Sequence, residues 1–156
     1  MELHLKCFKK LKLILTLVLL LCSLDVRAAT AFSKIKITLG TKNLTVELAE
    51  TADQHERGLM FREKMGPEEG MLFIFKNVET RFFWMKNTLI DLSIGYFDGN
   101  GTLIDIQEMK SGKGITNDTL LPSYPSSGPA KYALEMNKGW FEKNKVKIGT
   151  KLKVHR

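Results

Sequence analysis

The chain has 156 residues, 44% hydrophobic and 9% aromatic, with 24 basic and 17 acidic side chains for a formal net charge of +7. That length holds one ordinary domain, and the basic excess is too mild for the dense cationic face of a nucleic-acid-binding protein. Both cysteines, Cys7 and Cys22, stand near the N-terminus. A domain that begins after them has no disulfide, no thiolate nucleophile and no thiolate metal site.

The first residues read as an export signal. Lys6, Lys9, Lys10 and Lys12 form a basic region, an uncharged run follows from Leu13 to Leu24, and Val26-Arg27-Ala28 offers small residues where a signal peptidase reads. The apolar run is too short to span a bilayer comfortably as a permanent helix. Residues 1–28 are expected to be a signal peptide cut after Ala28 or Ala29, with an uncleaved N-terminal anchor as the alternative. Leu21 before Cys22 is not the small residue that a lipoprotein site wants. Cleavage leaves a single domain, residues 29–156, with 19 basic and 15 acidic side chains and no membrane span. It is expected to be periplasmic or extracellular, and about 127 residues suffice for a core without disulfides.

Within that domain, Ile35, Ile37 and Leu39 alternate with polar residues, and after the turn at Gly40 so do Leu44, Val46 and Leu48. This predicts a hairpin. Thr51 and Gln54 have the spacing of a capping box, so a short helix starts there and stops at Gly58. Leu59, Met60 and Phe61 are expected to enter the core, and the charged stretch with Gly66-Pro67 to form a loop. Met71 to Phe75 is continuously apolar, the pattern of a strand buried on both faces.

Next comes Arg81-Phe82-Phe83-Trp84-Met85-Lys86-Asn87-Thr88. Aromatics and Thr favour a strand, which would place Phe82, Trp84 and Lys86 on one face and Phe83, Met85 and Asn87 on the other. Leu92, Ile94 and Tyr96 predict a further strand, Asp98-Gly99-Asn100-Gly101 a tight turn, and Leu103 to Met109 its partner. Residues 110–129 contain three prolines and no periodicity, which suggests a functional loop. Tyr132 to Met136 is a strand, Gly139-Trp140-Phe141 leads a short helix or turn, and Lys151 to Val154 closes the sheet. The sum is a mainly β domain, a small closed barrel or folded sandwich of seven or eight short strands with one or two short helices.

Four stretches in succession carry a family resemblance: Arg57-Gly58-Leu59-Met60, Gly70-Met71-Leu72-Phe73, Trp84-Met85-Lys86-Asn87-Thr88, and Tyr132-Ala133-Leu134-Glu135 followed by Gly139. Over Ile35 to Val154 the chain resembles the bacterial and archaeal domain of unknown function 192 family. The resemblance implies one β-rich domain, often exported, and no established activity, so it assigns no catalytic residue. The chain departs from the pattern at Ser93, where relatives often carry Asp, and at Gly149-Thr150, where they often carry Gly-Asp.

The best candidate site is Trp84, Lys86, Asn87 and Thr88. An aromatic face can stack on a sugar or other planar group while amine, amide and hydroxyl supply hydrogen bonds beside it. Arg57 and Arg62 flank the Leu59 segment as an anion clamp or as surface ion pairs. These residues predict a binding module for a glycan or another small envelope component, with residues 110–129 as its rim. An enzyme reading uses Lys86 with Asp91 or Glu135 for proton transfer. A third reading lets Met85 and other thioethers handle Cu(I), although Met in apolar runs is ordinarily core filler. His55 reads as a solvated helix residue, and one interior histidine is too few for a zinc site. No cofactor motif is present, and nothing specifies an oligomeric state. Asp98-Gly99-Asn100-Gly101 is a turn and not a calcium loop, because Met109 occupies the closing position.

Overall fold

The N-terminal alternation forms the expected hairpin. In the computed structural model, which describes residues 31–155, β1 (Ser33–Leu39) and β2 (Lys42–Ala49) pair antiparallel with Ile37 opposite Leu44. The leader expected at residues 1–28, with Cys7 and Cys22, lies outside the described residues. The capping box forms as predicted: α1 (Ala52–Arg57) starts with Thr51 accepting from the Gln54 N–H at 3.2 Å and ends at Gly58.

The other elements are β3 (Gly70–Glu79), β4 (Phe82–Trp84), β5 (Leu92–Phe97), β6 (Leu103–Met109), a 3-10 turn (Asp118–Leu120), β7 (Ser123–Pro125), β8 (Ala130–Asn137), α2 (Trp140–Lys143) and β9 (Leu152–His155). Seven strands make one sheet in the order β6-β5-β8-β3-β2-β1-β9, and β4 and β7 pair separately. All neighbours run antiparallel except β2 and β3, whose parallel pairing sets Leu48 beside Leu72. At one corner the two edges meet. Leu152 N–H donates to Gly101 O at 2.8 Å and Leu103 N–H to Thr150 O at 2.9 Å. The sheet therefore curls into a half-barrel, the mainly β single domain that the pattern predicts.

Two cores lie on opposite faces of this sheet. Ile37, Leu72, Leu134 and Met136 pack on one face with Trp140 and Phe141 of α2. Met71, Phe73, Ile94, Tyr96 and Ala133 pack on the other, under Leu59, Phe83 and Met85. This explains why β5 is buried at all six positions and why Met71 to Phe73 shows no polar alternation. Beyond Ile74 the pairing of β3 with β8 shifts register, and β3 runs on to Glu79 as an exposed ribbon.

Three further expectations are corrected. The aromatic strand ends at Trp84, because β7 offers only three residues to pair with it. Met60 is half-buried and Phe61 is 54% exposed, so only Leu59 of that trio enters the core. Residues 110–129 are not featureless: they hold the 3-10 turn and β7, and Gly112 N–H donates to Thr88 O at 3.0 Å.

Candidate functional site

Beside β4 lies a groove with two lobes that share His55, Phe73, Phe83 and Trp84. One is a narrow recess of about 30 Å³, reached by Gly58, Leu59, Met60, Lys86, Thr88 and Glu135. The other is a wider basin of about 340 Å³ that extends to Phe75, Arg81 and Phe82. All four stretches that carry the family resemblance contribute to the recess: Arg57 to Met60, Phe73, then Trp84, Lys86 and Thr88, and Glu135.

The strand alternation of β4 builds the wall. Phe83 turns inward, edge-on to Phe73 with centroids 4.9 Å apart and to Tyr96 at 5.8 Å. Phe82 and Trp84 turn outward and remain 72% and 45% exposed. Two residues apart on one strand face, they stand about 7 Å from each other. Met85, on the inner parity, is buried.

After Met85 the chain leaves the strand. Thr88 N–H donates to Met85 O at 3.1 Å, and Asn87 adopts a left-handed conformation with φ 51°, which Asn tolerates better than most residues. Phe61, itself at φ 64°, donates its N–H to Asn87 O at 2.8 Å. Two residues of unfavourable backbone thus pin the α1 turn to the β4 turn at the edge of the recess.

Of the residues singled out from sequence, Trp84, Lys86, Thr88 and Arg57 meet at the recess. The Lys86 amine lies 5.2 Å from the Trp84 ring centre and pairs with Asp118 of the 3-10 turn, so it ties residues 110–129 to the aromatic wall. Thr88 is buried and its hydroxyl donates to Lys86 O at 3.2 Å. Arg57 lies over the Phe61 ring at 4.9 Å. Asn87 is not brought in: it is exposed, and its amide reaches the Met60 sulfur at 4.0 Å. Arg62 is also elsewhere, paired with Glu47 of β2.

Asp91 and Glu135 do not form a pair. Asp91 accepts from Ser111 N–H at 2.8 Å and from Lys138 at 3.0 Å, and these two partners hold its carboxyl below the usual range. Glu135 rises from the middle of β8, flanked by Met71 of β3 and Ile94 of β5. It is 4% exposed, lines the recess, and has no hydrogen-bond or ion-pair partner among the described residues. Burial pushes its pKa up to about 8, which favours the neutral carboxylic acid.

His55 is not solvated as expected. Its Nε2–H donates to Ala49 O at 3.0 Å, the carbonyl being able only to accept, and its ring packs on Phe75 at 4.6 Å. Four methionines (Met71, Met85, Met109 and Met136) are buried, and Met136 faces the core opposite the other three. All four sit in packed apolar surroundings, where Met ordinarily serves as core filler. Among the described residues no helix is long and apolar enough to cross a membrane.

Glu135 was visible in the sequence only as one of two loose acids. The overlooked signal is context: Glu135 is the single charged residue in the otherwise buried-looking run Tyr132-Ala133-Leu134-Glu135-Met136.

The family model for DUF192, described as uncharacterized ACR, matches residues 35–154. Two solved structures share the fold. One is a candidate transcription regulator from Sinorhizobium meliloti 1021, 31% identical over 81% of this chain and 98% of that one, with a TM-score of 0.73. The other is a protein of unknown function from Novosphingobium aromaticivorans DSM 12444, 28% identical over 78% of this chain and 84% of that one, with a TM-score of 0.64. No curated protein matches the chain.

Proposed function

The chain belongs to the DUF192 family, described only as uncharacterized, so its activity must be read from its own groove, and we propose that it is an exported binding module for a glycan. The observation that carries this reading is the outward pair Phe82 and Trp84, large exposed rings on one strand face beside a recess with unused hydrogen-bonding capacity. Exposed aromatics in register suit successive sugar rings, whose apolar faces stack while their hydroxyls stay wet. Lys86 and residues 110–129 brace the wall and form its rim. Export is supported by the basic-then-apolar start of the sequence, and N-terminal sequencing of the protein recovered from the cell envelope tests it. The mild charge balance favours such a ligand over nucleic acid.

Binding is tested by calorimetry of the full-length chain against a panel of β-1,4-linked oligosaccharides, with Trp84→Ala as the comparison. The reading expects binding by wild type and at least a tenfold loss in the variant. Equal affinity for both proteins, or no binding across the panel, removes it.

One observation favours a second reading. A buried acid with a pKa near neutrality suits general acid catalysis, so a hydrolase using Glu135 with Lys86 predicts turnover of the same oligosaccharides. The other carboxylate at the recess is Glu56 on α1, exposed to solvent. Asp91, engaged with Lys138 and Ser111, is not part of this reading.

A further inference from the structure

We propose that the recess beside Trp84 reads the N-acetyl group of an acetamido sugar, with Glu135 donating to its carbonyl oxygen and Thr88 accepting from its amide N–H. This rests on the glycan reading above and narrows it to one substrate class.

Size comes first. At about 30 Å³ the recess has room for roughly two waters or a group of a few heavy atoms. A whole sugar ring does not fit, but a substituent projecting from a ring stacked on Trp84 does. The walls come next. Leu59, Met60 and Phe73 present apolar surface, which suits a methyl group and leaves a bare hydroxyl in poor company.

Polar chemistry decides between the remaining groups. The Glu135 side chain is buried and lines the recess, and no described residue hydrogen-bonds or pairs with its carboxyl. A carboxyl that no protein group engages keeps its hydrogen-bonding capacity for a ligand in the recess. Held neutral by its surroundings, the carboxyl offers an O–H donor, which a carboxylate lacks. The Thr88 hydroxyl already gives its proton to Lys86 O, so only its lone pairs are free. One donor and one acceptor between apolar walls match a secondary amide: C=O to Glu135, N–H to Thr88, methyl to Leu59 and Phe73.

The test compares two tetrasaccharides with the same β-1,4 backbone. Chitotetraose carries an acetamido group at C2 of each ring, and cellotetraose carries a hydroxyl there. Calorimetry of the full-length chain should find chitotetraose bound about tenfold or more tightly than cellotetraose, the worth of one or two buried hydrogen bonds. Glu135→Gln, which keeps a donor, should retain that preference. Glu135→Leu and Thr88→Val should each erase most of it with the far-UV spectrum unchanged. Equal affinity for the two sugars, still dependent on Trp84, overturns the acetamido assignment and leaves the glycan reading standing. Binding of neither overturns both. Thr88→Val provides the separate check should Glu135→Leu fail to fold.

Discussion

Replacing Glu135 by Gln should stabilise the protein, and by an amount that depends on pH. The unfolded chain releases the Glu135 proton near 4.5, whereas the folded chain holds it up to about 8. The folded form therefore binds the proton more tightly, and wild-type stability is complete below pH 4.5 and lost as pH rises towards 8. Between those limits the loss runs at about 1.4 kcal/mol per pH unit, which gives about 3 kcal/mol by pH 7 and levels off at about 5 kcal/mol above pH 8. Gln is similar in shape and polarity but cannot ionise. The advantage of Glu135→Gln over wild type should thus be near zero at pH 4.5, about 3 kcal/mol at pH 7 and flat above pH 8. Other carboxylates titrate in both proteins and cancel in the difference. Urea unfolding of the two proteins, followed by far-UV circular dichroism in steps from pH 4.5 to 9, measures it. A stability difference that stays constant across this range would refute the reasoning, since it would mean that Glu135 is ionised or partnered in the native state.

Trp84→Ala should cut glycan affinity at least tenfold yet change unfolding free energy by only about 0.5 kcal/mol, because much of the ring is already in water; comparing calorimetry with urea unfolding separates the two effects. Gly112→Ala should be harmful, since a Cβ there would sit 2.0 Å from Met85 O. A loss of about 2 kcal/mol is expected, with faster proteolytic cutting within residues 110–129 as the local signature. Thr51→Ala removes the cap of α1 and should cost about 1 kcal/mol. Because α1 carries His55 and Arg57 to the groove, weaker glycan binding in that variant should accompany the lower urea midpoint.

Local chemistry was legible in the sequence and distant pairing was not. The Thr51–Gln54 spacing and the alternation through Ile35, Ile37 and Leu39 each describe neighbours a few residues apart, and each element formed where it was expected. The parity of Phe83 and Met85 against Phe82 and Trp84 held for the same reason. What failed needed long-range information. The β4 strand stops where its partner β7 stops, and nothing between Phe82 and Thr88 announces that. Phe61 reads as a core aromatic, yet its N–H bond to Asn87 holds the backbone at positive φ, and the ring ends half in water. Arg62 reads as a clamp or a surface ion pair, and its partner Glu47 lies on β2, 15 residues earlier, where nothing local points to it. For the site, the sequence located the wall and part of the rim. The depth of Glu135 depends on β3 and β5 flanking β8 and on a second layer covering that face, which only the assembled sheet supplies.

The position of Glu135 argues against an architectural role for the groove. An acid on the central strand of a sheet buried on both faces weakens the fold at neutral pH by its own ionisation cost, and it makes no hydrogen bond among the described residues that would offset this. A leucine there could pack against Met71 and Ile94 without that cost. Local rules of burial are broken most often where a site needs them broken. The two left-handed residues, Phe61 and Asn87, carry their own strain a short distance away, at the seam where the α1 turn meets the β4 turn. The buried acid at the recess is hard to explain by packing alone. An acid held at the floor of a recess is the kind of feature that a preorganised site would need.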